Sequence, residues 1–155
     1  MLINIILNLL ITITAPAHHY EALGFSLAAP QGWQPEFGLN SAKFVAADSS
    51  ASMEILLMPA QEGFWDKTAQ VWEHYQTELN DADYELRDIN ISLDEKGLFK
   101  AEFVSIKNGK KAHNLVRIIG GTKKTALIIA AIKPSAPSTL RAEIEGSLDT
   151  FALDE

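Results

Sequence analysis

Residues 97–133, GLFKAEFVSIKNGKKAHNLVRIIGGTKKTALIIAAIK, decide the fold of this chain. The stretch reads as three consecutive strands, Phe99–Ile106, His113–Ile119 and Thr125–Ile132. Asn108-Gly109 forms the first connection and Gly120-Gly121-Thr122-Lys123-Lys124 the second. Asn-Gly and Gly-Gly supply the positive φ angles that tight hairpins need. The third strand is apolar at almost every position, from Ala126 to Ile132. Such a strand is covered on both faces, so a layer is expected over each side of the sheet.

One layer lies immediately downstream. After the break at Pro134-Ser135-Ala136-Pro137, Ser138 can cap a last helix running to about Phe151. Leu140, Ile144, Leu148 and Phe151 form a single stripe at helical spacing. Burying each is worth roughly 1.5–3 kcal/mol, enough to hold the helix on the sheet despite Gly146. Beyond it, Ala152–Glu155 reads as a frayed end.

Upstream, Tyr84–Leu93 is a strand whose apolar register changes between Leu86 and Ile89, which predicts a bulge near Arg87-Asp88. Asp94-Glu95-Lys96-Gly97 turns from it into the central unit. The second layer is a helix from about Phe64 to Leu79, with Trp65, Ala69, Trp72, Tyr75 and Leu79 on one face. Before it come strands Ala42–Ala47 and Met53–Met58, joined by the polar loop Asp48–Ser52. The first strand holds Phe25 and Leu27 and stops at Pro30-Gln31-Gly32, leaving Trp33 to plug one end of a core. Runs of hairpin-connected strands with two helices mean α+β, a mainly antiparallel sheet of about six to seven strands flanked by two helices.

At 155 residues the chain has the length of one domain with a substantial core. Its net charge of −7 argues against nucleic acid or an anionic membrane surface as the main partner. The compact cationic clusters, Lys107 with Lys110-Lys111 and Lys123-Lys124, fall in hairpin turns and read as solvated tips. There is no cysteine, which removes disulfides, thiolate metal sites and a lipid-attachment thiol together. Met1–Thr14 is uncharged and apolar, and Ala15-Pro16-Ala17 supplies a small-x-small cleavage pattern. The run is too short for a stable membrane span and reads as an export signal, residues 1–17, preceding one domain over residues 18–155. A periplasmic or secreted protein starting near His18 is expected. No Lys or Arg stands near the start, and a buried first strand is the competing reading.

Gly24-Phe25-Ser26-Leu27 followed by Pro30-Gln31-Gly32-Trp33, and Ser147-Leu148-Asp149-Thr150-Phe151 at the end, resemble the PsbP/Mog1/DcrB-like superfamily. The resemblance implies an α/β/α sandwich and a non-enzymatic binding or accessory protein, and with the export signal its expected partner is another protein of the cell envelope. It implies no particular ligand, because fold does not fix function.

Candidate chemistry is sparse. His18 and His19, beside a free amine, could bind Cu(II), Ni(II) or Zn(II), against the simpler reading of incidental histidines. His74 lies off the helical stripe, and His113 begins a strand with no evident partner. Asp81, Asp83, Asp88, Asp94 and Glu95 are spaced as turn formers, without the EF-hand pattern. No Gly-x-Ser-x-Gly is present, and Gly120–Lys124 lacks the spacer of a phosphate loop. No cofactor is expected. Phe64, Trp65 and Trp72, with Trp33, form the candidate site. They read as core packing or as a groove between helix and sheet that accepts a partner segment or a small apolar ligand.

Overall fold

The computed structural model describes residues 16–60, 64–93 and 98–155, with backbone alone for 64–67. Its strands are β1 (His18–Tyr20), β2 (Phe25–Leu27), β3 (Gln34–Phe37), β4 (Ser41–Val45), β5 (Ala51–Pro59), β6 (Glu85–Leu93), β7 (Phe99–Lys107), β8 (Lys110–Gly120), β9 (Lys124–Ile132) and β10 (Ala152–Leu153). Its helices are α1 (Phe64–Asp81) and α2 (Leu140–Asp149). The fold is α+β. A seven-stranded sheet runs in the order β3-β4-β5-β9-β8-β7-β6, and a three-stranded sheet in the order β1-β2-β10.

Strand β9 lies at the centre of the large sheet, between β5 and β8. Ala126, Ile128 and Ala130 face one core and Leu127 and Ile129 the other, all of them buried. The unbroken apolar run thus has the cause expected of it: each face has its own cover. On one face, α2 and the small sheet bury Phe25, Leu27, Phe44, Met53, Ile55, Ile128 and Ile144. On the other, α1 covers Phe99, Phe103, Val116, Ile118, Leu127 and Ile129 with Trp72. The stripe Leu140, Ile144, Leu148 and Phe151 is buried as the spacing requires.

The turn Asn108-Gly109 has φ of 52° and 72°, the left-handed pair of a two-residue hairpin. A Cβ added at Gly109 would meet nothing within 4 Å, so only the backbone opposes one. Gly109→Ala is therefore expected to cost about 1–2 kcal/mol, read as a lower urea midpoint with unchanged slope. The bulge in β6 falls where expected, with the register shifting between Arg87 and Asn90 and Asp88 at φ 55°.

Several expectations need correction. The Gly-Gly connection does not use positive φ, since among the described glycines only Gly24, Gly32 and Gly109 adopt it. Gly121 is instead a close approach: an added Cβ would stand 3.1 Å from Leu153 Cδ1 and 3.2 Å from the Lys124 carbonyl oxygen. The α1 stripe is centred on Thr68, Trp72, Tyr75 and Leu79, and Ala69 is exposed. The N-cap of α2 is Thr139, in helical conformation and without a side-chain cap bond, rather than Ser138. The chain end is ordered by pairing: β10 bonds to β2, and Asp154 N–H donates to the Gly24 carbonyl oxygen at 3.0 Å. Phe25–Leu27 belongs to the small sheet, and the seventh strand of the large sheet is β3. That strand carries Pro35 and Glu36 and is exposed throughout, which suits an edge position and hides it from any hydrophobic pattern.

The apolar segment Met1–Thr14, the turn Asp94–Gly97 and the side chains of Phe64 and Trp65 lie outside the described residues. Among the described residues, no helix is long and apolar enough to cross a membrane.

Candidate functional site

Helix α1 rests on β7 through Trp72, whose ring centroid lies 5.9 Å from Phe99 and 5.8 Å from Phe103. Among the described residues nothing comparable covers β5 on that face, and a trough opens between α1 and β5. It has a volume of about 330 Å³. Leu56, Met58, Val71 and Leu127 provide its apolar walls, and Thr68, Gln70, His74, Glu78 and Thr125 its polar border. Tyr75 also lines it.

This arrangement follows from the two periodicities. On β5 the alternate residues Met53, Ile55 and Leu57 turn into the core under the small sheet, which leaves Leu56 and Met58 half-buried on the α1 side. On α1, Val71 and Tyr75 are one helical turn apart, flanking Trp72 on the side toward β5. Burial pushes the Tyr75 phenol up from its ordinary range, and the nearby Glu54 and Glu78 carboxylates add to the effect. Among the described residues its hydroxyl donates to no protein acceptor.

The aromatic residues singled out from sequence do not share one place. Trp72 is 4% exposed and lies beneath α1, inside the core rather than in the trough wall. Trp33 is buried in the other core, on the opposite face of the sheet. The trough depends on Leu56, Met58, Val71 and Tyr75, of which the helical stripe contained only Tyr75. The alternation along β5 was the available signal for Leu56 and Met58, once it is known which face lacks a cover.

Polar clusters lie elsewhere. His113 is not isolated: its Nε2 lies 2.6 Å from Glu102 Oε1, and Arg141 from α2 donates to both Glu102 oxygens at 2.8 and 2.9 Å. Arg141, hydrogen-bonded to Glu102, holds that carboxyl below the usual range, with His113 assisting against partial burial. The group joins α2 to β7 and β8. Glu102's contribution to stability is full above the ordinary glutamate pKa and is lost as the pH falls through its depressed folded value. Arg117, 7% exposed, donates to Asp149 at 2.7 Å and rivets the other end of α2. His74 meets Glu78 at 3.2 Å on the surface of α1.

His18 and His19 lie in β1, paired with β2. They diverge, as strand neighbours do. The His18 ring sits edge-on to Tyr20, whereas His19 Nε2 reaches Asp154 Oδ2 at 2.9 Å. That contact ties the first described strand to the last. The hydrogen bond and charge of Asp154 raise the His19 pKa. A raised folded pKa stabilises most below the unfolded value, and the gain disappears as the pH rises through the folded one. Asp154→Asn is expected to bring the His19 ring-proton titration back toward about 6.5 and to remove this loss at alkaline pH, both followed by NMR. Among the described residues, no three His, Cys, Asp or Glu side chains gather where they could hold a metal ion.

A large antiparallel sheet with one helix on one face, and a helix plus a small sheet on the other, is the PsbP-like fold. The solution structure of cyanobacterial PsbP (CyanoP) from Synechocystis sp. PCC 6803 matches with a TM-score of 0.69 at 12% identity, over 92% of this chain and 95% of that one. LpqN of Mycobacterium tuberculosis, described as involved in cell envelope biogenesis, matches with a TM-score of 0.52 at 15% identity, over 90% of each chain. A crystal structure from Bacteroides thetaiotaomicron VPI-5482 matches 92% of this chain with a TM-score of 0.55 at 17% identity, and the chain spans half of its length. At these identities the likeness is one of fold. No family model matches the sequence, and no curated protein matches it.

Proposed function

We propose that this is an exported accessory protein of the cell envelope that acts by binding another protein, without catalysis of its own. The observation that carries the reading is the outer edge of the large sheet. Among the described residues β6 pairs on one side only, with β7. Ile89 within the bulge and Ile91 and Leu93 beyond it are exposed, at 43%, 48% and 56%. Glu85, Arg87 and Asp88 and the bulge protect the first half of the edge; the second half carries no such device. An open, apolar strand edge on a chain of net charge −7 is a template for an added partner strand.

Fold likeness to CyanoP and to the envelope-biogenesis protein LpqN supports an accessory role. The uncharged leader and the pattern Ala15-Pro16-Ala17 support export. A photo-crosslinker placed at Ile91 in the native cell should yield one discrete protein adduct in the envelope fraction, lost when Ile89 and Leu93 are both changed to Lys. The same crosslinker at the exposed Ala69 should give none. Equal labelling at both positions, or no adduct at Ile91, overturns the reading. The mass of the purified protein should correspond to a chain starting at His18.

A further inference from the structure

Beyond the strand edge, we infer that the trough between α1 and β5 is a binding site for a single-chain apolar molecule with an uncharged, hydrogen-bond-accepting head, such as an acyl ester. Its volume of about 330 Å³ lies at the small end of ligand sites and admits one chain or ring, not a two-chain lipid. Leu56, Met58, Val71 and Leu127 offer the chain apolar surface on both sides, one wall from the sheet and one from the helix. The pattern is that of a ligand site: predominantly apolar walls and few polar groups.

The nature of the head follows from the groups around Tyr75. Its hydroxyl has no protein acceptor among the described residues and remains a proton donor at any physiological pH. An acceptor on the ligand, a carbonyl or ether oxygen, completes it. Glu54 and Glu78 place two carboxylates near that hydroxyl, and His74, the only basic side chain among the described residues that line the trough, already faces Glu78. A carboxylate head would be brought toward like charges in a partly desolvated place, whereas an ester of the same chain would not. The site thus selects neutral heads over anionic ones.

The test compares 1-lauroylglycerol with laurate at pH 7.5, below their micelle concentrations, against the mature protein. Binding is followed by calorimetry and by amide chemical shifts. The expected result is saturable binding of the ester, with shifts confined to Leu56–Pro59, Thr68–Glu78 and Thr125–Leu127. Laurate should bind at least tenfold more weakly. Tyr75→Phe should weaken the ester by about 2- to 12-fold, the worth of one hydrogen bond, and leave laurate unchanged. Val71→Trp fills the trough from a half-buried helix position; it should abolish ester binding with the thermal midpoint unchanged. Should Val71→Trp unfold the chain, Thr125→Phe fills the trough from the sheet side and must give the same loss. The inference is overturned if neither ligand binds saturably, if laurate binds as well as the ester, or if a folded trough-filling variant still binds. A positive result leaves the β6 contact to its own crosslinking test, since Ile91 does not line the trough.

Discussion

Phe25→Ala should remove about 3–5 kcal/mol, a large part of the 5–15 kcal/mol that holds an ordinary domain together. Phe25 is fully buried. Its ring stacks on Tyr20 at 4.9 Å and on Phe151 at 5.4 Å, and Tyr20 in turn meets Phe44 of the large sheet edge-on at 5.7 Å. One side chain therefore ties β1, the segment after α2, and the large sheet into a single core. Removing it leaves a cavity bounded by rings that belong to elements far apart in sequence, and these have little freedom to collapse into it. A fall in Tm of roughly 6–20 °C is expected by calorimetry. Phe25→Leu should cost much less. A drop of under about 1 kcal/mol for the alanine variant would mean that the small sheet does not depend on this anchor.

Trp72→Ala should cost a similar 3–5 kcal/mol, but its effect should be local. Among the described residues of α1, Trp72 is the buried aromatic that meets the sheet, through Phe99 and Phe103, with Tyr75 at 6.1 Å beside it. The other face of the sheet keeps its own core, with α2 held by Ile144, Leu148 and the Arg117–Asp149 pair. Native-state hydrogen exchange should show α1 losing protection while β5, β8 and β9 retain most of theirs. Uniform loss over all elements would show that the two faces cannot open separately. Because the trough is walled by α1 on one side, this variant should also lose the ester binding inferred above.

Features that depend on neighbouring residues were readable in advance. The left-handed pair at Asn108-Gly109, the bulge near Arg87-Asp88 and the stripe Leu140-Ile144-Leu148-Phe151 are each set by local backbone chemistry or by side-chain period. The helical face of α1 was harder. Thr68 is buried and Ala69 is not, because packing against the sheet selects the face, and two adjacent small residues give no preference. Sequence likewise offered Trp33 and Trp72 as possible neighbours, since nothing along the chain says on which side of a sheet a residue will lie. Glu102, His113 and Arg141 come together only because β7 and β8 pair and α2 crosses them.

Sequence by itself determined the three-strand unit, the two covering helices and the doubly buried β9, because turn geometry and hydrophobic period are properties of adjacent residues. Tertiary structure alone decided the small sheet, which joins His19 to Asp154 across 135 positions, and the placement of the polar strand β3 at an edge. It also decided that the strip beside β5, which no described residue covers, becomes the trough. Those features rest on contacts between distant segments. Such contacts form when the shared core closes, and no short window of sequence carries that information.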